Sequence, residues 1–160
     1  LIELVIVIII LGILTVVAAP RFLDISTDAK VAVLQDVSKQ MKATIKLVQY
    51  KAILSGLRPV NINPNANQSD YIVDFGFGTS EVHFSNLCPE SEAEFGDDFE
   101  FFEFMNITTD NKLQTRVNNQ YSLIGFDIPT SGTPTNKGCY IIYDSFAVPN
   151  CTVEVVTVDC

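Results

Sequence analysis

At 160 residues the chain has the size of one ordinary domain, and its apolar residues are unevenly spread: 16 of the first 19 positions are hydrophobic. A net charge of −9 excludes a general binder of phosphate backbones, which needs clustered Lys and Arg, so no nucleic-acid partner is expected. The four cysteines, Cys88, Cys139, Cys151 and Cys160, stand at no metal-ligand spacing and point to disulfides formed in an oxidising compartment.

Residues 1–19 read LIELVIVIIILGILTVVAA, with Glu3 the only charge. A helix rising ~1.5 Å per residue over this length matches the ~30 Å hydrocarbon core of a bilayer, so the segment can span a membrane. A secretory signal peptide needs a basic stretch before the apolar run and a cleavage site before a separate domain. Here the run passes through Pro20-Arg21 directly into a second helical pattern. A single-pass anchor fits less well, because an acid within a spanning segment costs roughly 2.5–3.5 kcal/mol at mid-depth.

From Arg21 the apolar residues Phe22, Ile25, Ala29, Val33, Val37, Met41, Ile45, Val48 and Ala52 recur at steps of three or four, the period of an amphipathic helix ending before Gly56. Joined to the first segment this predicts one helix of about 54 residues and ~80 Å, apolar all round at its start and apolar on one stripe later. Pro20 lies inside it and should kink or interrupt it, and Gly12 is a second weak point.

These residues carry a resemblance. The opening LIELVIVIIILGIL, the Ala19-Pro20 step and RFLD resemble the N-terminal signature of type IV pilins and pseudopilins. RFLDISTDAKVAVLQ, LVQYKAILSG, the segment CYIIY and the closing Asp159-Cys160 resemble more narrowly the major pilins of the mannose-sensitive haemagglutinin (MSHA) class. In the family the glutamate is the fifth residue of the mature chain, after a methylated phenylalanine. Here it is the third, so two residues are expected to precede Leu1.

The resemblance implies an α+β, type IV pilin-like fold, with the long helix packed on a C-terminal antiparallel sheet. It also implies a subunit that waits in the inner membrane, is extracted by the pilus assembly machinery, and forms a homopolymer on the bacterial cell surface for adhesion and colonisation, with surface or glycan receptors as partners. In the family the glutamate meets the N-terminal amine of a neighbouring subunit, and Glu3 is the matching position. With Gly12 and Pro20 it forms the expected assembly set. A helix-start acid favoured by the dipole is the plainer reading of Glu3. A pseudopilin of a type II secretion system is the alternative function.

The expected organisation is residues 1–24 as filament-core helix half and 25–160 as head. The head divides into the helix half 25–55, a connecting region 56–111 and a sheet 112–160. Residues 56–70 are a polar Pro/Asn-rich connection. The stretch from Tyr71 to Thr108 holds most of the phenylalanines, and FEFFEFM fits a bulged strand or a short helix equally. Lys112–Val117 and Gln120–Ile128 flank Asn118-Asn119, a hairpin turn tolerant of positive φ. Cys139–Ala147 and Cys151–Asp159 flank Val148-Pro149-Asn150 as a second hairpin.

If Cys151 opens the strand after that turn, it lies roughly 26–30 Å from both Cys139 and Cys160. Disulfide Cα atoms must lie within about 7 Å, which leaves Cys139 with Cys160 and Cys88 with Cys151. The first of these also agrees with the loop-closing disulfide that the resemblance implies.

No enzyme is expected. His83 is the only histidine, and no nucleophile elbow or Walker loop is present. Gly76-x-Gly78 reads as a turn. The run Glu90, Glu92, Glu94, Asp97 and Asp98 offers carboxylates but no spaced calcium-loop pattern, and reads as a solvated acidic loop with no metal or cofactor. Asn67, Asn106 and Asn150 head Asn-x-Ser/Thr triplets.

Overall fold

A computed structural model describes residues 2–64, 69–93, 99–105, 107 and 113–160, with the side chains of residues 14–25 outside the description. The chain is α+β: an N-terminal helix packs on a C-terminal antiparallel sheet.

Helix α1 is assigned over Ile2–Leu54. Against the expected helix of about 54 residues, the part described with its side chains beside the head is residues 26–54, about 29 residues. The helix is continuous through Gly12 and Pro20, so the expected interruption is not observed. A proline removes one N–H donor, and the bonds on either side can carry the helix past it.

The buried stripe of α1 is Leu34, Ser38, Met41, Ile45, Val48 and Ala52, at alternating steps of four and three. Val33, expected inside, is 41% exposed, and Ala29 is also exposed. Of the neighbours Val33 and Leu34, only Leu34 stands two full turns from Met41, so the phase of the lower helix decides which is buried. Phe22 and Ile25 lie outside the described side chains.

The helix stops at Gly56, whose φ of 91° is open to glycine at no steric cost. Leu57 N–H donates to the Ala52 carbonyl and Gly56 N–H to that of Ile53, both at 3.0 Å. This doubly bonded stop satisfies two orphan carbonyls, and Leu57 folds back beside Ala52 in the core.

The main sheet runs β3 (Gln114–Val117), β4 (Tyr121–Asp127), β5 (Cys139–Asp144) and β6 (Thr152–Val156), in that spatial order and antiparallel throughout. A two-stranded sheet of β1 (Ile72–Asp74) and β2 (Thr79–Glu81) occupies part of the region read from sequence as a connection. FEFFEFM contains a short helix, α2 (Phe101–Phe104), closed by a reciprocal capping box between Glu100 and Glu103. Its Phe101 and Phe102 are buried, and Phe101 stacks on fully buried Tyr143 with centroids 4.2 Å apart.

The β3–β4 turn corrects the sequence reading by one residue. Asn119 and Gln120 form its centre, bracketed by the Asn118 N–H bond to the Tyr121 carbonyl. No positive φ is used there: among the described non-glycine residues only Leu87 has one. Instead the Asn118 side-chain oxygen accepts from the N–H groups of Gln120 and Tyr121, at 3.0 and 2.8 Å.

At Gly125, opposite Tyr140, β4 lies close against β5, beside a register shift between Gly125 and Asp127. A Cβ there would fall on the Cys139 carbonyl oxygen and the Tyr140 Cα, backbone atoms that cannot swing away. Gly125→Ala is therefore expected to destabilise the head by about 1–3 kcal/mol, measured as a shift in the urea midpoint, and an unchanged midpoint would mean that β4 and β5 separate at no cost.

Candidate functional site

Two regions carry chemistry that the fold itself does not consume: the N-terminal turns of α1 and the junction where the two sheets, α1 and the disulfides meet. In the first, every side chain from Ile2 to Ile13 is exposed, including Ile2 at 76% and Ile13 at 63%. Glu3 stands in the first turn of α1, the only charge in this stretch. Among the described residues, a Cβ on Gly12 would meet nothing within 4 Å apart from its own helix backbone. Among the described residues no helix is long and apolar enough to cross a membrane. The span expected over 1–24 runs into residues 14–25, whose side chains lie outside the description; for Pro20 only the helical backbone is described.

In the second region Cys88 is bonded to Cys151 and Cys139 to Cys160, with Cα separations of 6.2 and 4.7 Å. Both are the pairs that the second hairpin leaves possible. The Cys139–Cys160 closure is reinforced by Gly138 N–H on the Asp159 carboxylate at 2.8 Å and Asp159 N–H on the Gly138 carbonyl at 3.0 Å. Lys30 Nζ donates to the Cys160 carbonyl at 2.9 Å, tying α1 to the same segment.

Around Cys88 a loop is held in a conformation the sequence does not announce. Leu87 has φ of 58°, costly for a branched residue, and is nonetheless buried. Asn86 holds it. Its side-chain oxygen accepts from Cys88 N–H at 2.8 Å, and its amide donates to the carbonyls of Ser145 and Ala147 at 2.8 and 3.1 Å. Gln49 of α1 donates to the Asn86 carbonyl at 2.9 Å. Three separate segments thus meet at one asparagine.

His83 lies in the same junction, buried between the rings of Phe84 and Phe146 at 4.4 and 4.6 Å, with the Ser85 hydroxyl 2.9 Å from Nδ1. Burial lowers its pKa below the usual imidazole value, with Asp144 opposing. The Ser85 hydroxyl holds Nδ1 while the two rings cover the faces of the imidazole. Because the unfolded chain binds the proton more readily below about pH 6.5, His83 costs nothing above that value and destabilises the fold progressively as pH falls below it. His83→Gln is expected to flatten the slope of melting temperature against pH just below 6.5; an unchanged slope would assign it to other groups.

The acidic run is partly corrected. Glu90 is 2% exposed, not solvated, because the Val82–Pro89 bridge and the Glu90 N–H bond to the Glu81 carbonyl turn it inward beside buried Glu81. Glu92 is exposed, while Glu94, Asp97 and Asp98 lie outside the described residues. Among the described residues no three His, Cys, Asp or Glu side chains could share a metal ion. Gly76, with φ of 83°, sits in the β1–β2 turn, where its N–H donates to Asp74 at 2.7 Å. Asn150 is exposed on the β5–β6 connection; Asn67 and Asn106 lie outside the described residues.

The chain matches no family model, no curated protein and no solved structure. The function therefore has to be argued from its own residues.

Sequence reasoning did not find two further surface features. One is a cleft of about 580 Å³ beside the β3–β4 turn, where Arg116 donates to the carbonyls of Pro129, at 2.6 Å, and Gly132. Those bonds pin the loop after β4 to β3. The other is a groove of about 460 Å³ along the outer face of α1, lined by Ala43, Lys46, Leu47, Tyr50, Leu54 and Phe75. Its signal was present as a second apolar row, Ala43, Leu47, Tyr50 and Leu54, at steps of three and four.

Proposed function

We propose that the chain is a structural subunit, the major pilin, of a bacterial surface filament of the MSHA type, polymerising through the N-terminal half of α1 and serving adhesion and surface colonisation. The observation that carries this reading is the helical stretch from Ile2 to Ile13, whose apolar side chains are all exposed and whose only charge is Glu3. Exposed contiguous apolar surface of this kind needs an outside cover. Lipid and other copies of the same helix are the two covers that suit a segment apolar on every face, so transfer from bilayer to filament core exchanges one apolar contact for another. A disulfide-stapled head suits an extracellular fibre. The resemblance of the N-terminal and closing strings to MSHA-class pilins supplies the specific filament type.

In this reading the inner membrane holds the subunit before assembly, and Glu3 pairs with the amine of an adjacent subunit. Immunogold imaging of cells producing the full chain tests it: the head should be displayed along surface fibres. Confinement of the protein to the cell envelope, with no labelled fibre, would refute a surface pilin and favour a secretion pseudopilin.

A further inference from the structure

The charge of this chain is segregated. Helix residues 26–54 carry five lysines and two acids, whereas residues after 54 carry fifteen acids and four basic residues. Lys39, Lys42 and Lys46 form an exposed row at steps of three and four, and among the described residues none of them meets a carboxylate. Like charges so spaced repel within an isolated subunit. Beside this row runs the apolar groove, with Leu47 54% and Leu54 83% exposed.

Phe75 at the groove edge touches Phe104 of α2 at a centroid distance of 4.6 Å, and Phe77, 70% exposed, touches Phe75, Phe99 and Phe104. Beyond these rings lie Glu92, Glu100 and Glu103, again like charges. Burial, then Glu103 and Glu92, raise the pKa of Glu100. The lysine row thus adjoins the apolar groove through Lys46, the groove adjoins the phenylalanine cluster through Phe75, and Glu100 and Glu103 stand beside Phe99 and Phe104 in the chain. Each charged flank has its complement on another copy of the chain.

We infer that this face docks a second copy, the acid cluster Glu92/Glu100/Glu103 of one subunit meeting the lysine row Lys39/Lys42/Lys46 of the next across the apolar groove. Hydrophobic contact would then supply the attraction and the charges the orientation, steering the correct approach and penalising a reversed one. The inference rests on the self-assembly reading only in taking a copy of this chain as the partner.

The test uses the full chain in detergent at low salt, where association is read whether or not cells make fibres. A carbodiimide, which joins amine to carboxylate directly, should give an intermolecular product whose peptides link Lys42 or Lys46 to Glu92, Glu100 or Glu103. Lys42→Glu with Lys46→Glu should cut its yield at least fivefold. Adding Glu92→Lys and Glu103→Lys should restore at least half of it. An unchanged yield in the double variant overturns the inference, and so does a loss that the fourfold variant, with intact disulfides and unchanged circular dichroism, fails to restore. Absence of surface fibres from wild-type cells would strike the filament reading alone.

Discussion

Glu3→Gln is expected to leave the amount of membrane-held subunit unchanged and to reduce surface filaments to traces. The substitution keeps the size and much of the hydrogen bonding of the side chain but removes its charge. In an assembled apolar bundle the neighbour's ammonium would then be buried without a counter-charge. Breaking a buried pair in this way costs ~3–5 kcal/mol, repeated at every subunit added. If Glu3 only complements the dipole at the start of α1, where it stands, the same change costs ~0.3–1 kcal/mol and fibres survive. Filament yield divided by membrane subunit level separates the two, and a normal ratio in the mutant would sink the pairing role.

The second large effect concerns the disulfides. Cys88–Cys151 closes 63 residues and Cys139–Cys160 closes 21. On a chain-entropy basis the first constrains the unfolded chain by ~4 kcal/mol and the second by ~3 kcal/mol. Cys88→Ser with Cys151→Ser is therefore expected to lower head stability by several kcal/mol, and by more than Cys139→Ser with Cys160→Ser. The gap should exceed the loop-length difference, because Cys88 also anchors the Asn86 junction to α1 and the β5–β6 connection. Far-ultraviolet circular dichroism should keep most of its helical signal in both variants, since α1 contains no cysteine. A gap of only ~1 kcal/mol between the two variants, the loop-length difference alone, would show that the junction adds nothing to the loop closure.

What the sequence made legible follows from how locally each feature is encoded. The helical period from Val37 to Ala52 is local, and so are the apolar runs of β4 and β5 between turn residues; both could be read from the chain itself. The turn at Asn118 was misplaced by one residue because a side-chain oxygen, not backbone chirality, makes it. The region from Tyr71 to Thr108 was opaque for a different reason. Its strands are three residues long, and Glu81 and Glu90 face inward through a single bridge. Neither short strands nor inward acids leave a periodic trace. Val33 against Leu34 was decided by phase several turns away. At the candidate assembly end, residue types suggested a role for Glu3 that lies between subunits, so a single chain displays the exposed helix and not the contact.

The Cys88–Cys151 bond has a mechanical meaning as well. Tension applied along α1 loads the helix–sheet contact in shear, across the row from Leu34 to Ala52, before any strand is peeled away. If that contact yields, the bond takes 63 residues out of the load path. Between Leu54 and Cys160 only about 43 residues can then straighten, about 150 Å of slack in place of about 360 Å for the reduced chain. A head pulled from its helix would therefore yield by a short, fixed length and then hold as a covalent tether.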